Sequence, residues 1–219
     1  MENIEIQKVG LSHDMFMKVS FLERLPNNDE RKHPGVSCSA PVHIDLTSAF
    51  KLFTAHLALL CEQITEAEFI ESIPAEYDST VGYSESSEMG EAVTKALASK
   101  AKKLKAKTGG LNGTDEKESL PTDRFILDDV EFKFMAGIEA IKLSGQMRLS
   151  TMEYIGMGPT PWIKINGEYK FKEDLFQLAE LLKYEVKEYI VNHKYAPPAD
   201  PELPFETFGD GNAIGDEQY

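Results

Sequence analysis

Cysteine is scarce in this sequence, which has only Cys38 and Cys61 among 219 residues. A single disulfide would be an unusual framework for a chain of this length, so we do not expect the fold to depend on one. Free cysteine behaves as a small hydrophobic residue. We therefore expect Cys38 to lie near a strand and Cys61 to pack on the apolar face of a helix.

Long apolar runs are also absent. No stretch approaches the roughly 18 consecutive apolar residues of a membrane span. The first ten residues, MENIEIQKVG, lack the basic and then apolar layout of a secretory signal. We expect a soluble protein without a membrane partner, located in the cytoplasm, or in the host cytoplasm if a phage encodes it.

Basic residues are outnumbered, with 23 Lys and Arg against 37 Asp and Glu and a net charge of −14. This balance argues against a generic basic nucleic-acid binder, because phosphate affinity comes largely from Lys and Arg. Residues 196–219 carry six acidic and no basic residues, which leaves −8 on the rest of the chain. This Pro-rich segment has too little apolar content to build a core, which predicts a disordered acidic tail.

Catalytic and metal-binding motifs are missing as well. Asp128, Asp129 and Glu131 cluster near a predicted strand, but no second carboxylate set matches them for a two-metal site. The serines lack a nucleophile elbow, and residues 156–159 lack the Gly-Lys-Ser/Thr ending of a phosphate loop. The histidines lack the spacing of a helical or finger metal site: His13, His33, His43, His56 and His193. We expect no enzyme activity, no cofactor and no metal.

An internal repeat is the clearest feature that is present. Residues 160–191, TPWIKINGEYKFKEDLFQLAELLKYEVKEYIV, indicate a strand, a tight turn and a long amphipathic helix. A shift of 121 residues superposes 4–70 on 125–191 and aligns identical residues such as Val9 with Val130. The hydrophobic period changes from two to near 3.6 at the same place in both halves. This predicts an α+β protein built from a duplicated unit of about four antiparallel strands followed by one amphipathic helix.

The element boundaries follow from the same periodicities. Thr47 or Ser48 could cap the first helix, and Asn166-Gly167 could supply the positive φ angles of a tight turn. We expect the apolar stripes of the helices to run from Phe50 to Ile64 and from Leu175 to Ile190. The predicted strands are 4–11, 16–22, 36–38 and 42–44 in the first half, and 125–134, 138–149, 152–155 and 162–165 in the second.

The periodicities and the changes in composition divide the chain into four regions. Residues 1–73 form the first β-rich repeat with its helix, 74–122 a flexible linker, 123–195 the second repeat and 196–219 the tail. The linker contains a Lys-rich arm at 94–107, in which Lys102, Lys103 and Lys105 could contact phosphate. Alternatively, the arm is a solvated helix that offsets the acidic residues before it.

Aromatic and basic residues alternate along the strands of the second half, a mixture that single-strand binding requires. Aromatic rings would stack on bases, and cations would follow the phosphate backbone. Strand alternation places Trp162 and Lys164 on one face and Ile163 and Ile165 on the other. The alternative is that Trp162 is a core aromatic and the lysines are ordinary solvated residues. The candidate stacking residues are Tyr154, Trp162 and Tyr169, and the candidate phosphate contacts are Lys133, Lys142, Arg148 and Lys164.

The repeated order of four strands and a helix, over 4–70 and 125–191, resembles the Whirly and PUR-alpha family of single-stranded nucleic-acid-binding folds. The resemblance concerns element order, because the KGKAALK signature of Whirly proteins is absent. With its acidic tail, the chain also looks like phage-type single-stranded DNA-binding proteins. These resemblances imply sequence-independent binding of single-stranded DNA in phage or mobile-element replication or recombination. They transfer no site residue to this chain.

A second hypothesis is a non-enzymatic protein-interaction or assembly factor, whose open sheet face docks a partner or a second copy of the chain. The charge of −8 outside the tail favours this alternative. The tail could keep the protein soluble, or it could compete with nucleic acid for the basic surface and recruit replication or recombination proteins, with Phe205 and Phe208 as anchors. Under the second hypothesis, the lysine arm and the tail would act as tethers.

Overall fold

The computed structural model describes residues 3–12, 16–73, 85–108 and 122–196. The strands are β1 Ile4–Leu11, β2 Phe16–Arg24, β3 Glu30–Pro41, β4 Phe125–Met135, β5 Ile138–Arg148, β6 Tyr154–Met157 and β7 Ile163–Lys164. The helices are α1 Ile44–Lys51, α2 Phe53–Leu60, α3 Glu66–Glu71, α4 Glu85–Thr108 and α5 Lys172–Asn192. The α+β prediction is confirmed.

All seven strands belong to one antiparallel sheet of order β3-β2-β1-β4-β5-β6, and β7 pairs with β5 beside β6. The two halves of the chain meet where β1 pairs with β4. There Val9 lies directly opposite Val130, the residue that the shift of 121 aligns with it. The strand order runs outward from this join in the same way on both sides. The duplication itself stays a prediction.

One face of the sheet carries the core. Val9, Val130 and Leu143 are fully buried beneath helices α1, α2 and α5. Because side chains alternate along a strand, Lys8 and Glu131 point to the opposite face, together with the residues that lie across from them on the adjacent strands. We call this second surface the open face.

The long C-terminal helix follows its sequence pattern. Leu175, Leu178, Leu182 and Val186 are all buried, as spacing of three and four residues predicts for one helical stripe. The prediction of a single amphipathic helix is therefore confirmed for the second half of the chain.

The first half departs from that pattern, because its predicted helix is broken into α1, α2 and α3. Leu52 separates α1 from α2, and Glu62, with a φ of 57°, ends the run before α3. Neither Thr47 nor Ser48 caps the first helix. The cap is His43, whose Nδ1 accepts a hydrogen bond of 3.3 Å from the backbone N–H of Asp45.

Of the strands predicted in the first half, one was predicted too short and one is wrong. Residues 36–38 lie within the longer β3, and 42–44 lead into α1. Val42 makes only an isolated bridge to Tyr195. The described part of the first half therefore contributes three strands, where four were predicted.

The turn at Asn166-Gly167 forms without the expected backbone angles. The N–H of Gly167 donates to the carbonyl of Lys164 at 2.9 Å, so the chain does turn here. Neither residue is among the described positions with positive φ. The turn leads to α5.

Helix α4 lies within the segment predicted as a linker. Leu97 is 3% exposed and joins the core, and Thr94 is also buried. The helix packs against α1 and α5. The remaining parts of the predicted linker, 74–84 and 109–121, and the tail from 197 onward lie outside the described residues. None of the described helices is long and apolar enough to span a membrane.

Gly145 lies where β5 passes closest to α2. A Cβ at this position would lie 2.3 Å from the carbonyl oxygen of Ile126 and 2.5 Å from Cδ2 of Leu57. We expect Gly145→Ala to lower the free energy of unfolding by about 1–3 kcal/mol, because the backbone must shift to admit the methyl group. Urea denaturation measures the loss.

The matched control is Gly156→Ala on β6, where an added Cβ meets no atom within 4 Å. Equal denaturation midpoints for the two variants would contradict the packing described here.

Candidate nucleic-acid interface

Trp162 lies on the open face beside two lysines. The strand that follows it pairs with β5, where Ile163 lies opposite Ile141 and Lys164 opposite Ala140. Ile163 is buried, so Trp162 and Lys164 point to the open face, as strand alternation predicts. The Nζ of Lys142 lies 4.9 Å and that of Lys133 5.9 Å from the centroid of the indole ring.

These distances are those of cation–π contacts, which contribute about 0.5–1 kcal/mol at exposed sites. Trp162 is half-buried and belongs to neither hydrophobic core cluster of the described residues. The interpretation of Trp162 as a core aromatic is therefore not supported. Ile165, in contrast, is 48% exposed and does not continue the buried side of the strand.

Glu131 forms ion pairs with two lysines of this surface, Lys142 and Lys8. Its carboxylate lies 2.6 Å from the Nζ of Lys142 and 3.0 Å from that of Lys8. Burial alone would raise the pKa of Glu131, but the hydrogen bonds from Lys142 and Lys8 outweigh it and hold the pKa below 4.5. Lys8 also pairs with Asp129, which accepts a hydrogen bond of 2.7 Å from Ser144.

Arg148 and Tyr154 form a separate pair on the open face. They lie directly opposite each other where β5 meets β6, and Tyr154 is 49% exposed. Arg148 is six residues along β5 from Lys142, which is about 20 Å at 3.4 Å per residue. These two predicted residues therefore share the face of Trp162 but lie at a distance from it.

Tyr169 is not on the open face, which corrects its predicted stacking role. Its hydroxyl is hydrogen-bonded to Nδ1 of His56 at 2.9 Å, and its ring packs against that of Phe171. Burial raises the pKa of Tyr169 and lowers that of His56 to about 3. Both residues belong to the packing of the helical layer.

The predicted lysine arm does not join Trp162 either. Lys102 is exposed on α4, and this helix packs against α1 and α5 in the helical layer. The side chains of Lys103 and Lys105 lie outside the described residues. The structure therefore gives no support to a shared surface between the arm and Trp162.

Sequence reasoning missed Lys8 and Lys18 of the first half, which also lie on the open face. Lys18 stands between the buried residues Met17 and Val19 on β2. That alternation was the signal that could have placed Lys18 opposite the core. The long sequence separation between β1 and β4 hid the position of Lys8 next to Glu131.

A buried charged cluster ties α1 to the end of α5, and sequence reasoning missed it too. Asp45 and Glu185 are 0% and 1% exposed, and the Nζ of Lys194 bonds to both carboxylates. Burial raises the pKa of Glu185 to about 7, although Lys194 opposes the shift. The described residues contain no group of three or more side chains arranged to hold a metal ion. We assign this cluster a structural role.

Comparison with protein-family models, with curated proteins and with solved structures found no match to this chain. The assignment of function therefore rests on the residues and their geometry.

The Glu185 carboxyl should make stability depend on pH. Between about pH 4.5 and 7 the unfolded chain releases this proton while the folded chain keeps it, so stability falls as pH rises through this window. The contribution is on the order of 3 kcal/mol at most. We expect Glu185→Gln to remove this part of the decline, as measured by urea denaturation at pH 5 and pH 7.5.

Glu71→Gln, at an exposed position on α3, is the control and should keep the decline of the unsubstituted protein. If Glu185→Gln showed the same decline as Glu71→Gln, the proposed titration of Glu185 would be ruled out.

Proposed function

We propose that this protein binds single-stranded DNA independently of sequence through the open face of its sheet. The observation that carries the proposal is the contact of the Trp162 indole with the ammonium groups of Lys133 and Lys142, on the face turned away from the core. We place this activity in phage or mobile-element replication or recombination, in the cytoplasm of the cell.

The local charge supports this proposal although the chain as a whole is acidic. The part of the open face that contains Trp162, Lys8 and Lys18 carries five lysines and three acidic residues, a net charge of +2, whereas the whole chain carries −14. Phosphate affinity depends on the charge of the contact surface, so the acidity of the whole chain does not exclude DNA. The charged residues of this part of the face are Lys8, Lys18, Lys133, Lys142 and Lys164 with Asp128, Asp129 and Glu131.

The energies of stacking also favour DNA. Stacking of a base on an aromatic side chain contributes about 1–3 kcal/mol. The contacts of Lys133 and Lys142 with the indole contribute about 0.5–1 kcal/mol each at an exposed site. A base can therefore take the place of the lysines on the ring, and the released ammonium groups can move to the flanking phosphates.

The chemistry of these side chains accounts for binding without sequence preference. An indole stacks on any base, because every base presents a π face. Lysine is a point charge on a flexible stem and contacts phosphate without reading the base. The site is therefore suited to track a strand of any sequence.

The acidic tail begins at an edge of the same sheet. The backbone N–H of Ala196 donates to the carbonyl of Pro41 at the end of β3, at 3.0 Å. We propose that the segment beyond it recruits replication or recombination proteins, because an acidic segment with Phe205 and Phe208 combines charge with apolar anchors.

The second candidate function is assembly with another protein or with a second copy of the chain. It is favoured by β6, an edge strand on which Tyr154 and Ile155 are 49% and 45% exposed. An exposed edge can pair with a strand of another chain. Light scattering distinguishes this function: a stable oligomer that ignores DNA and dissociates when Ile155 is changed to lysine would support assembly over DNA binding.

Replacement of Trp162 by a residue with a smaller or no aromatic ring should weaken DNA binding, because stacking surface for a base is lost. We expect Trp162→Ala to reduce the affinity for oligo-dT by about 5- to 150-fold, the equivalent of 1–3 kcal/mol of stacking, and Trp162→Phe to restore part of it. Fluorescence anisotropy with labelled oligo-dT at low salt measures both variants. Equal affinities for Trp162→Ala and the unsubstituted protein would refute the stacking role.

Removal of the flanking lysines should change the salt dependence of binding. For single-stranded DNA, the slope of log affinity against log salt changes by about 0.7 for each phosphate contact. We therefore expect Lys133→Ala with Lys142→Ala to reduce the slope by about 1.4. Anisotropy titrations at several salt concentrations give the slope.

The control is Lys51→Ala, an exposed lysine on α1 in the helical layer, which should leave the slope unchanged. A slope that responds equally to Lys51→Ala and to the double substitution would show that binding is not localised on the open face.

A further inference from the structure

A groove of about 460 Å³ crosses the open face in the first half of the chain. It lies over β1, β2 and β3, where the register of β2 against β3 shifts between Phe16 and Lys18 and again between Val19 and Phe21. Such irregularities bend a strand and open space beside it. The side chains that matter for its chemistry are Phe16, which is 39% exposed, and the exposed Lys18.

Gly35 allows Lys18 to occupy this groove. The residue has a φ of +59°, which suits glycine, and its N–H donates to Oγ of Ser20 at 2.9 Å. A Cβ on Gly35 would lie 3.2 Å from Cε of Lys18. The absence of a side chain at Gly35 therefore leaves room for the lysine stem.

The groove is continuous with the surface around Trp162. Lys142 lies opposite Glu131 in the sheet, Glu131 opposite Lys8, and Lys8 opposite Ser20. Lys18 is two residues from Ser20 on the same face, and Phe16 is two residues further. The cations thus run across the strands from β5 to β1 and then along β2, with an aromatic residue at each end of this path.

The straight distance between the two ends of this path follows from sheet geometry. From β7 to β2 there are four inter-strand steps, or about 19 Å, and the displacement along the strands is about 14 Å. Trp162 and Phe16 are therefore about 23 Å apart. At 3.4 Å per nucleotide of a stacked strand, about seven nucleotides cover this distance, and an extended strand needs fewer.

The acidic residues of the groove are already paired with other side chains of the protein. Asp128 accepts hydrogen bonds of 3.1 and 3.3 Å from the amide of Gln146. Asp129 is bound by Lys8 and by Ser144. Lys18 has no ion pair within the described part of the chain, so its charge is available to a polyanion.

We propose that Phe16 and Lys18 form a second nucleotide subsite, and that one strand of DNA runs across the sheet from Trp162 to Phe16. Phe16 stacks on a base, and Lys18 and Lys8 contact phosphates between the two aromatic residues. This inference rests on the proposed function and extends it to the first half of the chain. It specifies the path of the DNA across the sheet, and it predicts a contact length of a few to about seven nucleotides.

The length dependence of binding tests this inference in the full chain. The trimer dT3 is too short to reach both aromatic residues, whereas dT10 spans them. We expect Phe16→Ala with Lys18→Ala to reduce the affinity for dT10 by tenfold or more and to leave the affinity for dT3 within about twofold, because the trimer is held at the stronger Trp162 end. Trp162→Ala should weaken the binding of both oligomers.

The matched control is Phe134→Ala with Lys51→Ala. Phe134 is 59% exposed and follows the buried Phe132 in the alternation of β4, and Lys51 is exposed on α1 in the helical layer. Neither residue therefore belongs to the open face. This variant should bind dT3 and dT10 like the unsubstituted protein. Lys18→Glu, which leaves Phe16 in place, should weaken dT10 binding even if loss of the Phe16 ring disturbs the fold.

The outcomes separate the inference from the proposed function. If Trp162→Ala weakens dT10 binding while Lys18→Glu and the Phe16 variant do not, the second subsite is wrong and DNA binding at Trp162 stands. If the unsubstituted protein binds neither oligomer at low salt, the proposed function and the subsite fail together.

Discussion

The antiparallel pairing of β1 with β4 is the constraint on which the rest of the structure depends. Only three residue pairs form this join, Lys8 with Glu131, Val9 with Val130 and Gly10 with Asp129. The join turns two hairpins, far apart in sequence, into one sheet with the helices packed on one of its faces. It also places the charged residues of both halves on the same open face.

The backbone ladder and the buried valines hold this join more than its ion pairs do. Val9 and Val130 are both 0% exposed, and full burial of a valine contributes about 1.5–3 kcal/mol. Lys8 is 44% exposed, and ion pairs of exposed lysines contribute about 0–1 kcal/mol. The sheet therefore positions Lys8 and Glu131, and these groups can exchange partners with a ligand at small cost to the fold.

The separation of faces explains how an acidic protein can offer a cationic surface. Four of the described helices, α1, α2, α4 and α5, supply residues to the core beneath β1, β4 and β5, and a buried cluster of Asp45, Glu185 and Lys194 ties α1 to α5. The open face has instead a line of lysines whose acidic neighbours are bound by Lys8, Lys142, Ser144 and Gln146. The net charge of the whole chain does not reveal this difference between the two faces of the sheet.

Local periodicity was sufficient to predict much of the fold. The buried stripe of α5 and the two hairpins followed from spacing, and so did the side of the strand on which Trp162 lies. The burial of Tyr169 against His56 depends on a tertiary contact between distant residues, which a local pattern does not contain. Lys8 and Lys18 join the surface that contains Trp162 only when β1 pairs with β4, and a local pattern does not contain this pairing either.

Trp162 is the only tryptophan of the chain, so its fluorescence reports directly on the proposed stacking surface. The most direct measurement is the fluorescence of the unlabelled protein during titration with oligo-dT at low ionic strength, with and without residues 196–219. The proposed function predicts saturable quenching that added salt reverses. Unchanged fluorescence together with no binding, even without the acidic tail, would contradict it.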